Sequence, residues 1–137
     1  MNKLRDLHHD SKGKVGFARA AISTDTATNG AIIDMQGYEG LEFYVSSETL
    51  TDGLYILSLQ DGDASNLSDA AAVDSEQVFG AGTQFALTDD GVVKRIGYHG
   101  NKRYVRLVIT SSAVTTGGAF SAVAVNFSPL HAPVAND

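Results

Sequence analysis

Apolar and polar residues alternate along much of this chain with a period of two. In "LEFYVSS", Leu41, Phe43 and Val45 fall on one face and Glu42, Tyr44 and Ser46 on the other. In "GLYILSLQ", Tyr55, Leu57 and Leu59 oppose Leu54, Ile56 and Ser58. In "YVRLVIT", Val105, Leu107 and Ile109 oppose Tyr104, Arg106 and Val108. Successive side chains of a strand point to opposite faces, so each segment predicts a half-buried β-strand. "GAFSAVAVNF" is rich in small and β-branched residues, as a packed strand is. Weaker strand signals lie in "KVGFARAAIS", "GAIIDM", "EQVFG" and "VVKRIGY". Turn signals separate these segments: "TNG", "QGYEG", "TDG", "DGDASN", "TDDG", "HGN" and "TTGG". About eight strands at this spacing predict a sandwich or barrel. No segment carries a helical stripe, although the alanines of "SDAAAVDSE" suit one helical turn. The expectation is an all-β fold: an antiparallel β-sandwich with jelly-roll connections.

The polar, aperiodic start predicts a flexible N-terminal arm over residues 1–14, followed by the sandwich over 15–128. Both prolines, Pro129 and Pro133, lie at the end. Proline cannot donate to a ladder, so strand structure is expected to stop near Phe127, with an extended tail over 129–137. "VVKRIGY" and "RYVRLVIT" flank "HGNK", in which Gly100-Asn101 suits a tight turn because both residues tolerate positive φ. The pair predicts a two-stranded ribbon with its basic and aromatic groups displayed on the outer face and tip.

Charge changes this picture. The chain is acidic, at −6, yet all ten basic residues lie in two blocks. Lys3, Arg5, Lys12, Lys14 and Arg19 form one; Lys94, Arg95, Lys102, Arg103 and Arg106 form the other. Residues 20–93 carry thirteen acids and no base. Such segregation predicts complementary surfaces, within the fold or between copies. A nucleic-acid reading of the basic ribbon is opposed by that acidic middle, which repels phosphate. Docking against an acidic protein surface fits better, with Arg95, Tyr98, Lys102, Arg103, Tyr104 and Arg106 as the interface.

Chemistry adds little. There is no cysteine, which excludes disulfides and thiolate sites. No apolar run approaches the roughly 20 residues that span a bilayer, and the N-terminus lacks the apolar stretch of a secretory signal. The expectation is a soluble protein with no membrane partner. His8, His9, His99 and His131 sit in arms or at a turn, without the spacing of a metal or catalytic pair. "DGDASNLSD" places Asp61, Asp63 and Ser65 at alternate positions, as calcium loops do, but Asn66 and Ala72 stand where the loop glycine and the glutamate belong. Tryptophan, the best sugar platform, is absent. Neither a cofactor nor a metal nor catalytic residues are expected.

"RIGYHGNKRYVRLVIT", followed by "GGAFSAVAVNFSPLHAPV", resembles the C-terminal half of a family of small structural proteins of tailed bacteriophages. The shared pattern is a glycine–aromatic turn, "NKRYVR" leading a hydrophobic strand, a small-residue strand and a "P-x-H-A-P" end. "DMQGYEGLEF" and "SLQDGD" fit more loosely, so the resemblance spans about residues 30–134. It implies a non-enzymatic capsid cement or decoration protein with a jelly-roll fold. Such a protein is made in the host cytoplasm, sits on the capsid exterior and ties neighbouring major-capsid-protein capsomers together. The implied partners are the major capsid protein and a second copy, with opposed charge blocks meeting across a two-fold. A receptor- or glycan-binding virion module, or a head–tail or tail structural protein, is the alternative.

Overall fold

The computed structural model describes residues 6–130. A single helical turn, α1 (Leu7–Asp10), leads into β1 (Ser11–Ile22), β2 (Ala27–Asn29), β3 (Ile33–Asp34), β4 (Tyr38–Ser47) and β5 (Leu54–Gly62). Then come β6 (Ala71–Ala72), a 3-10 turn at Ser75–Gln77, β7 (Val78–Phe79) and β8 (Gln84–Phe85). The chain closes with β9 (Val93–Tyr98), β10 (Tyr104–Ser112) and β11 (Gly118–Pro129).

These strands form two antiparallel sheets packed as a β-sandwich. Sheet I has the order β1-β11-β4-β9-β7. Sheet II has the order β2-β10-β5-β6, with β3 also beside β10 and β8 beside β5. Among the described strands only β5 and β6 are both consecutive in the chain and hydrogen-bonded to each other. Almost every connection instead crosses from one sheet to the other.

The alternation read from the sequence sets the inner faces. Leu41, Phe43, Val45 and Ile96 face inward from sheet I; Tyr55, Leu57, Leu59, Val105, Leu107 and Ile109 meet them from sheet II. Phe120 packs against Tyr55 and Phe85, with ring centroids 4.7 and 5.2 Å away. Each large apolar side chain buried this way contributes about 1.5–3 kcal/mol. The β1 side of the sandwich is closed by a close backbone approach. Gly30 N–H donates to Leu107 O in sheet II, and Ala31 N–H donates to Gly16 O in sheet I. A Cβ at Gly30 would lie 2.4 Å from Gly16 O, so only glycine lets the segment through.

Several boundaries differ from expectation. β1 starts at Ser11, inside the expected arm, because Ser11–Lys14 find ladder partners in Ala124–Phe127. β11 runs two residues beyond Phe127, since Pro129 sits opposite Tyr38 at the strand end, where its missing N–H is tolerated. The residues before Asp6 and the tail after Leu130, with His131 and Pro133, lie outside the described residues. Ala71 and Ala72 are strand, paired with Asp61 and Gln60; the helical turn falls later, where Asp74 caps Glu76 N–H.

One end of the sandwich is held by Asp52. Its carboxylate accepts hydrogen bonds from the Thr115, Thr116 and Gly117 N–H groups and from the Thr115 hydroxyl. The β10–β11 loop curls around it through positive φ at Ala113 and Gly117. The Thr115 hydroxyl bond first, then the backbone bonds, lower the Asp52 pKa from 3.8 to about 2. A carboxylate with a depressed folded-state pKa stabilises the fold above its unfolded value and loses that contribution as pH falls through the folded one. Asp52→Ala is therefore expected to lower Tm at neutral pH, with the gap to the parent narrowing between about pH 4 and about pH 2. Melting curves by circular dichroism across that range check this; a gap independent of pH would exclude the carboxylate charge as its cause.

Candidate functional site

The basic, aromatic segment is not a ribbon. β9 belongs to sheet I and β10 to sheet II, so residues 99–103 carry the chain across the end of the sandwich. Gly100-Asn101 is part of an inter-sheet link rather than a hairpin turn. Tyr98, expected on display, is 1% exposed. Its position shares the face of Ile96, which is the inner face. The Tyr98 hydroxyl donates to Asp61 Oδ2 at 2.7 Å and accepts from the Lys102 N–H at 2.9 Å. Burial, then the bond to Asp61, pushes the phenol well above its ordinary pKa. The link folds tightly over this ring: a Cβ on Gly100 would lie 2.5 Å from the Tyr98 hydroxyl.

Three of the five cations of the segment, Lys94, Lys102 and Arg103, are paired with the acidic middle of the same chain. Lys102 Nζ lies 3.1 Å from Asp63 Oδ2. Arg103 makes a two-pronged contact with Asp34, at 2.9 and 3.0 Å, and donates to Gln36 Oε1 at 2.6 Å. Its guanidinium stands 5.0 Å from the Tyr104 ring centroid. The Arg103 bond holds the Asp34 carboxyl below the usual range, and the Asp63 bond raises the Lys102 ammonium. Lys14, from the other basic block, donates to Asp34 O at 3.2 Å. Lys94 is tied at the opposite end, to Asp89 at 3.2 Å and Gln84 O at 2.7 Å.

Of the six expected interface residues, the fold brings Tyr98, Lys102, Arg103 and Tyr104 together. It separates the other two. Arg95 is exposed on the outer face of sheet I, beside Tyr44. Arg106 lies on the outer face of sheet II, its Nε 2.8 Å from Gln60 Oε1. Segregated charge along the chain is thus largely matched within one fold, the first of the two outcomes it allowed.

The same end carries an open cleft of about 490 Å³, lined by Gln36, Tyr38, Glu39, Asp63, Lys102 and Arg103, among others. The start of β1 and the end of β11 pair with one another here, and Tyr38, opposite Pro129, lines the cleft. The sequence did not single out Asp34, Gln36 or Glu39 for this site. Their signal was the acidic block itself, which had to meet the cations somewhere. The calcium pattern is also explained: Asp61 serves Tyr98, Asp63 serves Lys102, and Asp69 closes the loop by accepting from Asp63 N–H and Ala64 N–H. Among the described residues, no group of three or more His, Asp or Glu is placed to hold a metal. His99 stacks on Phe79, with centroids 4.1 Å apart, and His9 contacts Asp6 at 2.9 Å.

The outer face of sheet I is the second distinctive surface. Val15, Val123, Tyr44 and Arg95 form one row across four strands. Gly13, Val125, Glu42, Gly97 and Phe79 form the next. Burial raises the Glu42 carboxyl, with Arg95 opposing the shift. A scan against protein-family models finds no match to this chain, and a search of curated proteins finds none.

Tyr98→Phe keeps the ring and removes the hydroxyl, leaving the Lys102 N–H and Asp61 without that partner. A cost of about 1–3 kcal/mol is expected. Tyr104→Phe, on the half-buried outer side, is expected to stay within about 0.5 kcal/mol of the parent. Urea denaturation of both variants tests the contrast, and equal effects would remove Tyr98 as the tie across this end.

Proposed function

We propose that this chain is a non-enzymatic cement protein of a tailed bacteriophage, wound as a jelly roll. It binds the exterior of the capsid and ties neighbouring major-capsid-protein capsomers together. The strand order supports the winding: β1, β11, β4 and β9 in one sheet face β2, β10, β5 and β6 in the other, with the chain alternating between them. The observation that carries the docking assignment is convergence. Lys102, Arg103, the cleft, the start of β1 and the end of β11 meet at one end of the sandwich.

That end suits adhesion to a shell. Its ion pairs are exposed, and exposed pairs contribute only about 0–1 kcal/mol, so they can exchange partners at low cost. Both signs of charge are present, so the partner surface is of mixed charge rather than simply acidic. A modest contact per copy is enough, because each copy bridging two capsomers engages twice. The cleft also supports a second reading. Tyr38 beside Gln36, Glu39 and Asn101 offers one aromatic face among polar groups, the makings of a glycan subsite.

Reversing both cations, Lys102→Glu with Arg103→Glu, is expected to weaken binding to heads stripped of the protein about tenfold, or about 1.4 kcal/mol. The fold should survive, since both pairs are exposed, and a melting curve verifies that. Cryo-electron microscopy of reconstituted heads reads occupancy at inter-capsomer positions. Undiminished occupancy by the folded variant would sink the docking assignment. Parent protein that leaves the heads bare, together with strong hits on a glycan array, would favour the second reading.

A further inference from the structure

The outer face of sheet I is broad, apolar and nearly uncharged. Val15 is 63% exposed, Phe79 59%, Val123 52% and Tyr44 40%. At the outward positions of β4, β9 and β11 the charged residues are Glu42 and Arg95 alone. Sheet II is more mixed: its outer face presents Arg106 with Gln60, and Ser58 and Thr110, beside Ile56 at 37% exposure. Exposed apolar surface of this extent on one side of a small domain marks a contact surface.

We infer that this face is a self-association surface, on which a second copy of the chain packs across a two-fold axis. Three features select that occupant. Glu42 is balanced by Arg95, and Arg19 of β1 is paired with Glu48 at 2.6 Å, so the face is neutral and neither an acidic nor a basic partner gains from it. The chain as a whole carries −6, so two copies repel through most of their surface and least through this face. The third feature is symmetry. Glu42 and Arg95 sit on adjacent strands, diagonally offset by two residues. A two-fold axis lying in the face, perpendicular to the line joining them, sets each Glu42 opposite the partner's Arg95. An isologous contact makes that pairing twice. The valines and Tyr44 then pack sheet against sheet, as in the interior of a sandwich. This contact stands apart from the shell-docking end and needs no capsid.

The symmetry gives a test that other interfaces do not share. Glu42→Arg leaves a face with two arginines; Arg95→Glu leaves one with two glutamates. Each variant repels itself, yet the two complement each other at both charge pairs. Light scattering during size exclusion, over a range of concentrations, should find the parent dimeric. Each variant alone should have a dimer dissociation constant at least about tenfold higher, and a one-to-one mixture should recover the parent's affinity as a heterodimer. Val123→Lys, at an exposed position that leaves the core intact, should also dissociate the dimer. Melting curves identify any variant that fails to fold. A parent that stays monomeric overturns the proposal. So does a dimer indifferent to Val123→Lys, or a mixture that shows no recovery.

Discussion

The contact between two inner sheet faces holds this molecule together, and the chain builds it by changing sheet at nearly every connection. Neighbouring strands are therefore far apart in sequence: β1 lies against β11, and β4 lies between β11 and β9. No hairpin of consecutive long strands exists to fold first. Long-range pairing must close large loops before burial repays the lost entropy, the regime of slow-folding β-proteins. The crossings need fixing at each end. Tyr98 and Asp61 pin one, and the Asp52 carboxylate, inside the β10–β11 loop, pins the other.

Charge follows from the same crossings. The second basic block straddles the link between sheets, so its members are dealt to both sheets and to the end between them. Acids from the middle of the chain meet three of the five: Asp34 and Asp63 at one end, Asp89 at the other. Among the described residues, the conspicuous basic segment thus ties Lys94, Lys102 and Arg103 to acids and leaves Arg95 and Arg106 outside these pairs. Any partner of the Lys102–Arg103 end meets carboxylates together with cations, which selects for a matched pattern rather than for net charge.

The two outer faces are unlike, and that gives the molecule a direction. One mixes Arg106, Gln60, Ser58 and Thr110 with Ile56. The other is a valine, tyrosine and phenylalanine surface whose few charges balance, Glu42 against Arg95 and Arg19 against Glu48. A sandwich with one adhesive end and one apolar face has two separate places to meet other molecules. The proposed assignments use one for the shell and the other for a second copy.

The sequence by itself determined the long strands, the all-β class and the inward sets. Leu41, Phe43 and Val45, like Val105, Leu107 and Ile109, are buried as their alternation required, because period two is a property of a single strand. Tyr98 was also legible: it shares parity with Ile96, and the face that buries one buries the other. What misled was the turn. "HGNK" has hairpin chemistry, but its four residues serve equally well as a link between layers. Pairing partners were decided only by tertiary structure, because which strands lie side by side depends on how the whole chain best buries two faces at once. For the same reason only the fold could separate Arg95 from Arg106 and seat Arg103 on Asp34. Charge spacing along a chain is one-dimensional, and the Arg103–Asp34 pair is made across sixty-nine residues.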